Sequence, residues 1–249
     1  MVKQLYFLFP LLFFGFLSKA QVKIHSHNDY THQKPFYDAV ANQAFSIEAD
    51  VFVVGDSLIV AHSRKEIKAG NTLENLYLKP IAALSQTKGF YSFQLMIDFK
   101  DNWLLTYPVL LKALKPYQKY LAKGNKRITL AISGNRPPDS TFHTYQDVSF
   151  DGLPHVIYAA ADLNKITMVS DNFATYSKWK GVGEIPETDK IKLKSLIDEA
   201  HKIGKPFRFW GAPDTESCWE LLHELGADII NTDKVTEATQ FFTKLKAKS

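Results

Sequence analysis

The sequence predicts an α/β fold, a single-domain (β/α)8 barrel of the TIM type with some irregularity. Three observations predict it. Eight short apolar or β-branched runs recur along the chain, stretches of helical spacing separate them, and polar residues collect at the ends of the runs. A chain of 249 residues is long enough for one such barrel, and a hydrophobic fraction of 45% supplies its core.

The first twenty residues stand apart. Met1-Val2-Lys3-Gln4 carries one positive charge, Leu5 to Leu17 is nearly all apolar, and Ser18-Lys19-Ala20 offers small residues where a signal peptidase reads. Residues 1–20 are therefore expected to be a signal peptide and 21–249 the barrel. The apolar run is shorter than the roughly 20 residues that cross a bilayer. No stable membrane span is expected after cleavage, and the mature protein is expected to be exported, either periplasmic or secreted. Loss of Lys3 and Lys19 lowers the formal charge from +4 to +2. That near-neutral balance does not suggest nucleic acid, which calls for a clustered basic face. Cys218 is the single cysteine, so no internal disulfide can form even in an oxidising compartment.

The predicted strands are Val22–His25, Phe45–Val54, Phe93–Lys100, Ile128–Ser133, Val148–Asp151, Ile166–Ser170, Phe207–Trp210 and Asp228–Thr232. Ser57–Ala61 reads as an extra strand, turned back onto the second through Gly55-Asp56. Leu193, Leu196, Ile197, Ala200 and Ile203 share one helix face, ended by Gly204 and Pro206. Leu221, Leu222 and Leu225 before Gly226 repeat the device. A further apolar face runs between Trp103 and Leu121, interrupted by Pro108 and Pro116. Residues 134–165 and 173–186 read as long loops. An open doubly wound sheet is disfavoured, because no glycine-rich turn follows the first strand to hold a dinucleotide.

In a parallel barrel all strand ends converge on one face, where active sites are built. His25 and His27 end the first strand, and Glu48 and Asp50 lie on the second. Asp98 and Lys100 close the third, Ser170 and Asp171 the sixth, Trp210 the seventh, and Asn231 and Asp233 the eighth. Glu48 and Asp50 are two apart on a strand and point the same way. Two such carboxylates repel unless a cation or a shared proton neutralises them. With Asp98 they make an oxygen-rich set suited to Mg²⁺ or Ca²⁺. Histidine suits proton transfer near neutral pH, so His27 or His25 on one side and His62 on the other are the candidate acid and base. Lys100 is placed either to bind a phosphate as a point charge or to pair with Asp98. Trp210 is placed either as a wall for an alcohol or lipid group or as a core residue. Asn28, Lys100, Trp210 and Asn231 are the candidates for contact with substrate.

These residues resemble a known group. His25-Ser26-His27-Asn28-Asp29-Tyr30, Ser46-Ile47-Glu48-Ala49-Asp50-Val51, Val60-Ala61-His62-Ser63 and Ile97-Asp98-Phe99-Lys100 are similar to the phosphatidylinositol-phospholipase-C-like phosphodiesterase superfamily. That superfamily includes the glycerophosphodiester phosphodiesterases and the sphingomyelinase D toxins, all on irregular TIM barrels. The likeness is closest to the branch typified by the fungal altered-inheritance-of-mitochondria proteins. Leu130 to Asn135, Phe207 to Asp214 and Ala227 to Asp233 extend it across the mature chain. The resemblance implies a phosphoric diester hydrolase with a divalent cation on Glu48, Asp50 and Asp98. It implies a first-strand histidine and His62 as acid and base, and attack by a neighbouring substrate hydroxyl to give a cyclic phosphate. The substrate expected is a small-molecule or lipid phosphodiester, of glycerophosphodiester or phospholipid type. Aligning His-Arg-Gly favours His27, and aligning His-x-x-Asn favours His25. Asn28-Asp29 stand where the glycerophosphodiesterases carry Arg-Gly, so the phosphate-binding arginine of that pattern is missing from the first strand.

Two other readings are open. His25-x-His27 also opens amidohydrolase and histidinol-phosphatase-type metallohydrolases, which need further histidines on strands five and six, where this chain has none. A barrel that binds a phosphorylated ligand without turnover is the non-enzymatic alternative.

Overall fold

The computed structural model describes residues 22–248, so the expected signal peptide lies outside the described residues. Ten strands form, in chain order β1 (Lys23–Ser26), β2 (Ser46–Val54), β3 (Ser57–Val60), β4 (Phe93–Phe99), β5 (Ala122–Lys123), β6 (Lys126–Gly134), β7 (Ser149–Gly152), β8 (Ile166–Asn172), β9 (Phe207–Trp210) and β10 (Ile229–Thr232). Eight of them are parallel and run β1-β2-β4-β6-β7-β8-β9-β10. Because β1 pairs with both β2 and β10, the sheet closes on itself. The fold is thus a closed eight-stranded parallel barrel with helices between its strands.

Both faces of such strands are covered, one by the lumen and one by the helices, so they read as continuous apolar runs rather than alternating ones. The middle of β2 and nearly all of β4 are buried accordingly. The helix Glu187–Lys202 buries the predicted face, Leu193, Leu196, Ile197 and Ala200, against the barrel. Apolar spacing also located Trp103–Leu114, which carries Pro108 inside it. A 3-10 turn, Lys115–Tyr120, starts where Pro116 halts the α-helix. The predicted hairpin exists, with β3 antiparallel to the outer half of β2.

Irregularity enters where strands are short. β1, β7, β9 and β10 are four residues each, and the register between β7 and β8 shifts at Phe150/Asp151. The predicted long loops contain three short helical turns, Asp139–Thr144, Ala160–Leu163 and Phe173–Tyr176. The two-residue strand β5, folded onto β6, carries too little pattern to be seen in the sequence.

The lumen is layered. Met96, Met168 and Ile229 form a small apolar cluster with Phe45. Lumen-facing positions two residues further toward the C-terminal ends of their strands include Asp98 and Ser170. A dry lower layer therefore supports a polar upper one, at the end where barrels place their sites.

Candidate active site

Glu48 and Asp50 are on β2, and Asp98 sits on β4 directly across the ladder from Asp50. One carboxylate oxygen from each of the three lies within 4.8 Å of the others. Glu48 and Asp50 are buried, and the buried Asp50 Oδ1 has no hydrogen-bond partner. A buried acceptor left open beside two other carboxylates fits a hard cation, which takes oxygen ligands and supplies the missing charge.

Lys100 stands at the edge of this trio. Its Nζ lies 2.9 Å from Asp50 Oδ2 and 2.8 Å from Asp98 Oδ1, so it pairs with both acids and not with Asp98 alone. Burial opposes its charge, but Asp98 and Asp50 outweigh that and raise its pKa. Burial also pushes the Asp50 carboxyl up to about 6, helped by the Glu48 charge and resisted by Lys100. Ser133 Oγ donates to Asp98 Oδ2 at 2.9 Å, and Tyr30 Oη reaches Asp50 Oδ2 at 2.8 Å. The space beside Asp98 depends on Gly134. A Cβ there would lie 2.5 Å from the Phe99 carbonyl oxygen and 2.7 Å from Asp98 Oδ1.

The two first-strand histidines differ. His25 is fully buried, with Nε2 at 2.5 Å from Glu48 Oε2 and 2.6 Å from Arg208 Nη1. One ring nitrogen thus faces an acceptor and a donor and satisfies one at a time. Burial first, and then the Arg208 guanidinium, hold its pKa down at about 4 against the pull of Glu48. Glu48 itself is held below the usual carboxylate range. Burial opposes this, but the His25 contact and the Arg208 charge prevail. His27 is only half-buried. Its Nδ1 lies 2.7 Å from Asp233 Oδ1, which leaves Nε2 available. Burial works against its charge, yet the Asp233 bond and the Glu48 and Asp233 charges raise its pKa.

His62 is exposed, with Nδ1 3.7 Å from Asp50 Oδ2. Asn28 adopts a left-handed backbone (φ 44°) and accepts from Tyr30 Oη, which links it to Asp50. Asn231 Oδ1 accepts from Arg208 Nη1 at 3.2 Å. Trp210, two residues beyond Arg208 on β9, is part-exposed at the mouth rather than in the core. Asp29, though part of the opening motif, does not enter the site. It is fully buried and accepts from Ser26 Oγ, the Phe36 amide and Tyr77 Oη, tying down the segment after β1.

Arg208 is the residue that sequence reasoning passed over. Its buried guanidinium donates to Ser170 Oγ at 3.1 Å, Asp151 Oδ2 at 3.1 Å and Glu48 Oε2 at 3.3 Å, besides His25 and Asn231. It braces β1, β2, β7, β8 and β10 from β9. The signal was an arginine between two phenylalanines in a central parallel strand, where only a lumen-facing side chain meets partners. The arginine absent from the first strand has no local substitute, but a guanidinium does reach the site from β9. Asp151 was equally unseen; burial raises its pKa although Arg208 and Ser170 oppose the shift.

Residues 17–92 match the AIM6-like phosphodiesterase domain. The likeness is to the AIM6-like phosphodiesterases. Across 88% of its length the chain is 27% identical to altered inheritance of mitochondria protein 6 of Eremothecium gossypii, covering 69% of that protein. It is 25% identical to the homolog from Arthroderma benhamiae, over 89% of this chain and 84% of that one. Among solved structures, a glycerophosphodiester phosphodiesterase from Parabacteroides distasonis superposes with a TM-score of 0.61 at 15% identity, over 90% of this chain and 98% of that one. A calcium-dependent phosphoinositol-specific phospholipase C from Pseudomonas superposes with a TM-score of 0.59 at 11% identity, over 86% and 89%. The structural matches speak for the fold. The AIM6-like segment contains His25, His27, Glu48, Asp50 and His62, whereas Asp98, Lys100 and Arg208 come from later strands.

Proposed function

We propose that this chain is an exported phosphoric diester hydrolase that needs a divalent cation, Mg²⁺ or Ca²⁺. Its substrate is a glycerophosphodiester or phospholipid-type diester. The observation that carries the proposal is the trio Glu48, Asp50 and Asp98, with its donor oxygens within 4.8 Å and a buried Asp50 oxygen unpartnered. A cation held there supplies charge to a bound phosphate oxygen. Lys100 adds a second positive charge at the same edge, and Asn28, Asn231 and Trp210 flank the mouth. The trio includes no histidine, which favours this reading over one in which His25 and His27 bind the metal.

Of the two first-strand histidines, His27 is the one suited to move a proton. Burial works against its charge, but the Asp233 bond raises its pKa, and with Nδ1 held by Asp233 the Nε2–H is left to serve a leaving alkoxide. His62, whose Nδ1 lies 3.7 Å from Asp50 Oδ2, takes the proton of the attacking hydroxyl. His25 acts by holding Glu48.

A phosphodiester panel tests the reading. Product should form only with Mg²⁺ or Ca²⁺ present, and Glu48→Gln should lower turnover by at least ~100-fold. Activity that survives both EDTA and Glu48→Gln sinks the proposal. The assignment of His27 has its own test. His27→Ala should cost about 10²–10⁴-fold with an alkyl leaving group but much less with p-nitrophenolate, which leaves without a proton. An equal loss with both leaving groups would remove His27 from the acid role.

A further inference from the structure

Charge of a single sign collects where β4 and β6 begin, at the end of the barrel away from the carboxylate trio. No Asp or Glu occurs from 75 to 97 or from 102 to 138. Lys79 and Lys112, in these stretches, pair with Glu74 and Asp56 outside them. Lys88, Lys115, Lys119, Lys123, Lys126 and Arg127 are exposed, and none is in an ion pair among the described residues. The flanking strand starts do not balance them. Residues 42–45, before β2, hold no acid, and Asp147, before β7, exerts its charge on Tyr107 and Lys165 instead.

The β5–β6 hairpin brings two of these lysines face to face. Lys123 and Lys126 are cross-strand partners, joined by Gly124-Asn125, a two-residue turn in which Gly124 takes φ 61°. Residues directly opposite share a face, and like charges there are destabilising. Their ammonium groups reach backbone rather than a carboxylate. Lys123 Nζ donates to the Ser85 carbonyl at 2.7 Å and the Thr87 carbonyl at 3.3 Å, and Lys126 Nζ donates to the Phe90 carbonyl at 2.5 Å. These carbonyls fix the two amines in place without neutralising them. An ammonium has three donors, so each keeps at least one to give. Lys88 has no hydrogen-bond or ion-pair partner among the described residues. All three lysines line one cavity of about 390 Å³, with Gln86, Thr87 and Asn125 on its wall.

Shape and chemistry select among anions. The cavity has the size of a small-molecule site. A nucleic-acid strand would need aromatic faces for its bases, and the one aromatic residue among those lining the cavity, Phe90, is buried. Lysines act on phosphate as point charges, and three at one place suit adjacent phosphate groups better than a single carboxylate. We propose that this cavity binds a small anion with adjacent phosphate groups, held by Lys88, Lys123 and Lys126. The site shares no residue with the carboxylate trio and does not rest on the phosphodiesterase reading.

Isothermal titration of inorganic pyrophosphate into the purified protein tests this, in EDTA so that no cation bridges the anion to the trio. The parent should bind, with an affinity that falls as salt rises. Lys88→Glu reverses a charge on the cavity wall and should weaken binding ~tenfold or more. Asn125→Asp adds a carboxylate to the same wall, at a turn position that accepts either residue, and should weaken binding too. Both variants should keep the parent's melting temperature without pyrophosphate. Should Lys88→Glu melt lower, Lys88→Gln carries the same comparison. Lys68→Glu, the same reversal in the segment after β3, should bind like the parent. No binding by the parent overturns the proposal. Equal loss with Lys68→Glu overturns it as well, since overall charge would then be the attraction. Binding that survives Lys88→Glu and Asn125→Asp but fails in Lys100→Met assigns the anion to the barrel mouth and overturns it. A parent that ignores pyrophosphate but binds an oligonucleotide or anionic vesicles through Lys88 also overturns it and gives the face to a larger polyanion. A parent that binds pyrophosphate but hydrolyses no diester leaves the cavity assignment standing and removes the phosphodiesterase reading.

Discussion

At the scale of single residues, Asp50 shows how binding capacity costs stability. Its carboxyl is buried next to Glu48 and Asp98, and its pKa is pushed up to about 6. A carboxylate whose folded pKa lies above its unfolded value opposes folding when charged. The cost is present above pH 6 and is relieved as the pH falls toward the unfolded pKa near 4. Asp50→Asn keeps the shape and can still accept from Tyr30, while losing the ion pair to Lys100. The expected net effect at pH 8 is a gain of about 1–2 kcal/mol in the cation-free protein. The gain should shrink toward pH 4, and cation-induced stabilisation should disappear. Thermal melts of the two proteins with and without EDTA measure this, and a variant that melts lower at pH 8 would contradict it. Asp29 offers the contrast. It accepts from three donors in the core, so Asp29→Asn should destabilise by about 2–3 kcal/mol, with or without cation.

At the scale of elements, the end of β6 sets the geometry of β4. Gly134 has φ 68°, and its missing side chain is the space that the Phe99 carbonyl and Asp98 Oδ1 occupy. Gly134→Ala should cost about 1–3 kcal/mol through backbone strain and contact. It should also weaken cation binding by displacing Asp98, which isothermal titration of Ca²⁺ against parent and variant would read. Unchanged affinity in a folded variant would show that Asp98 tolerates the shift. Elements of this kind were largely legible beforehand, because apolar runs, the β2–β3 hairpin and the face of Glu187–Lys202 are written in local spacing. The carboxylates were legible for the same reason, since Glu48-Ala49-Asp50 and Asp98-Phe99-Lys100 each state their face within a few residues. Arg208 was not. Its partners His25 and Glu48 are 183 and 160 positions away, and its one local signal, the flanking Phe207 and Phe209, names none of them. Asp29 shows the converse: it neighbours the site in sequence while its side chain turns into the core.

At the scale of the whole molecule, barrel closure makes the site a common property of distant segments. β1 joins β2 to β10, so His27 from one end of the chain meets Asp233 from the other. A ligand that binds only the closed barrel stabilises all of it, by an amount that grows with ligand concentration over Kd. Protons compete for the same place. A cation on the trio requires Asp50 ionised, and Asp50 in the cation-free protein holds its proton up to about pH 6. Above that pH the cation binds without displacing a proton. Below it each unit of pH should weaken the apparent affinity up to about tenfold through this one group. The cation-free protein moves the other way, gaining from protonated Asp50 as the pH falls. The rise in melting temperature on adding Ca²⁺ or Mg²⁺ should therefore be full at pH 8, decline through pH 6 and be nearly lost at pH 5. Melts at fixed cation concentration across that range measure it. A stabilisation that stays constant from pH 8 to pH 5 would mean that the cation binds without the Asp50 carboxylate, and the trio would then not be its site.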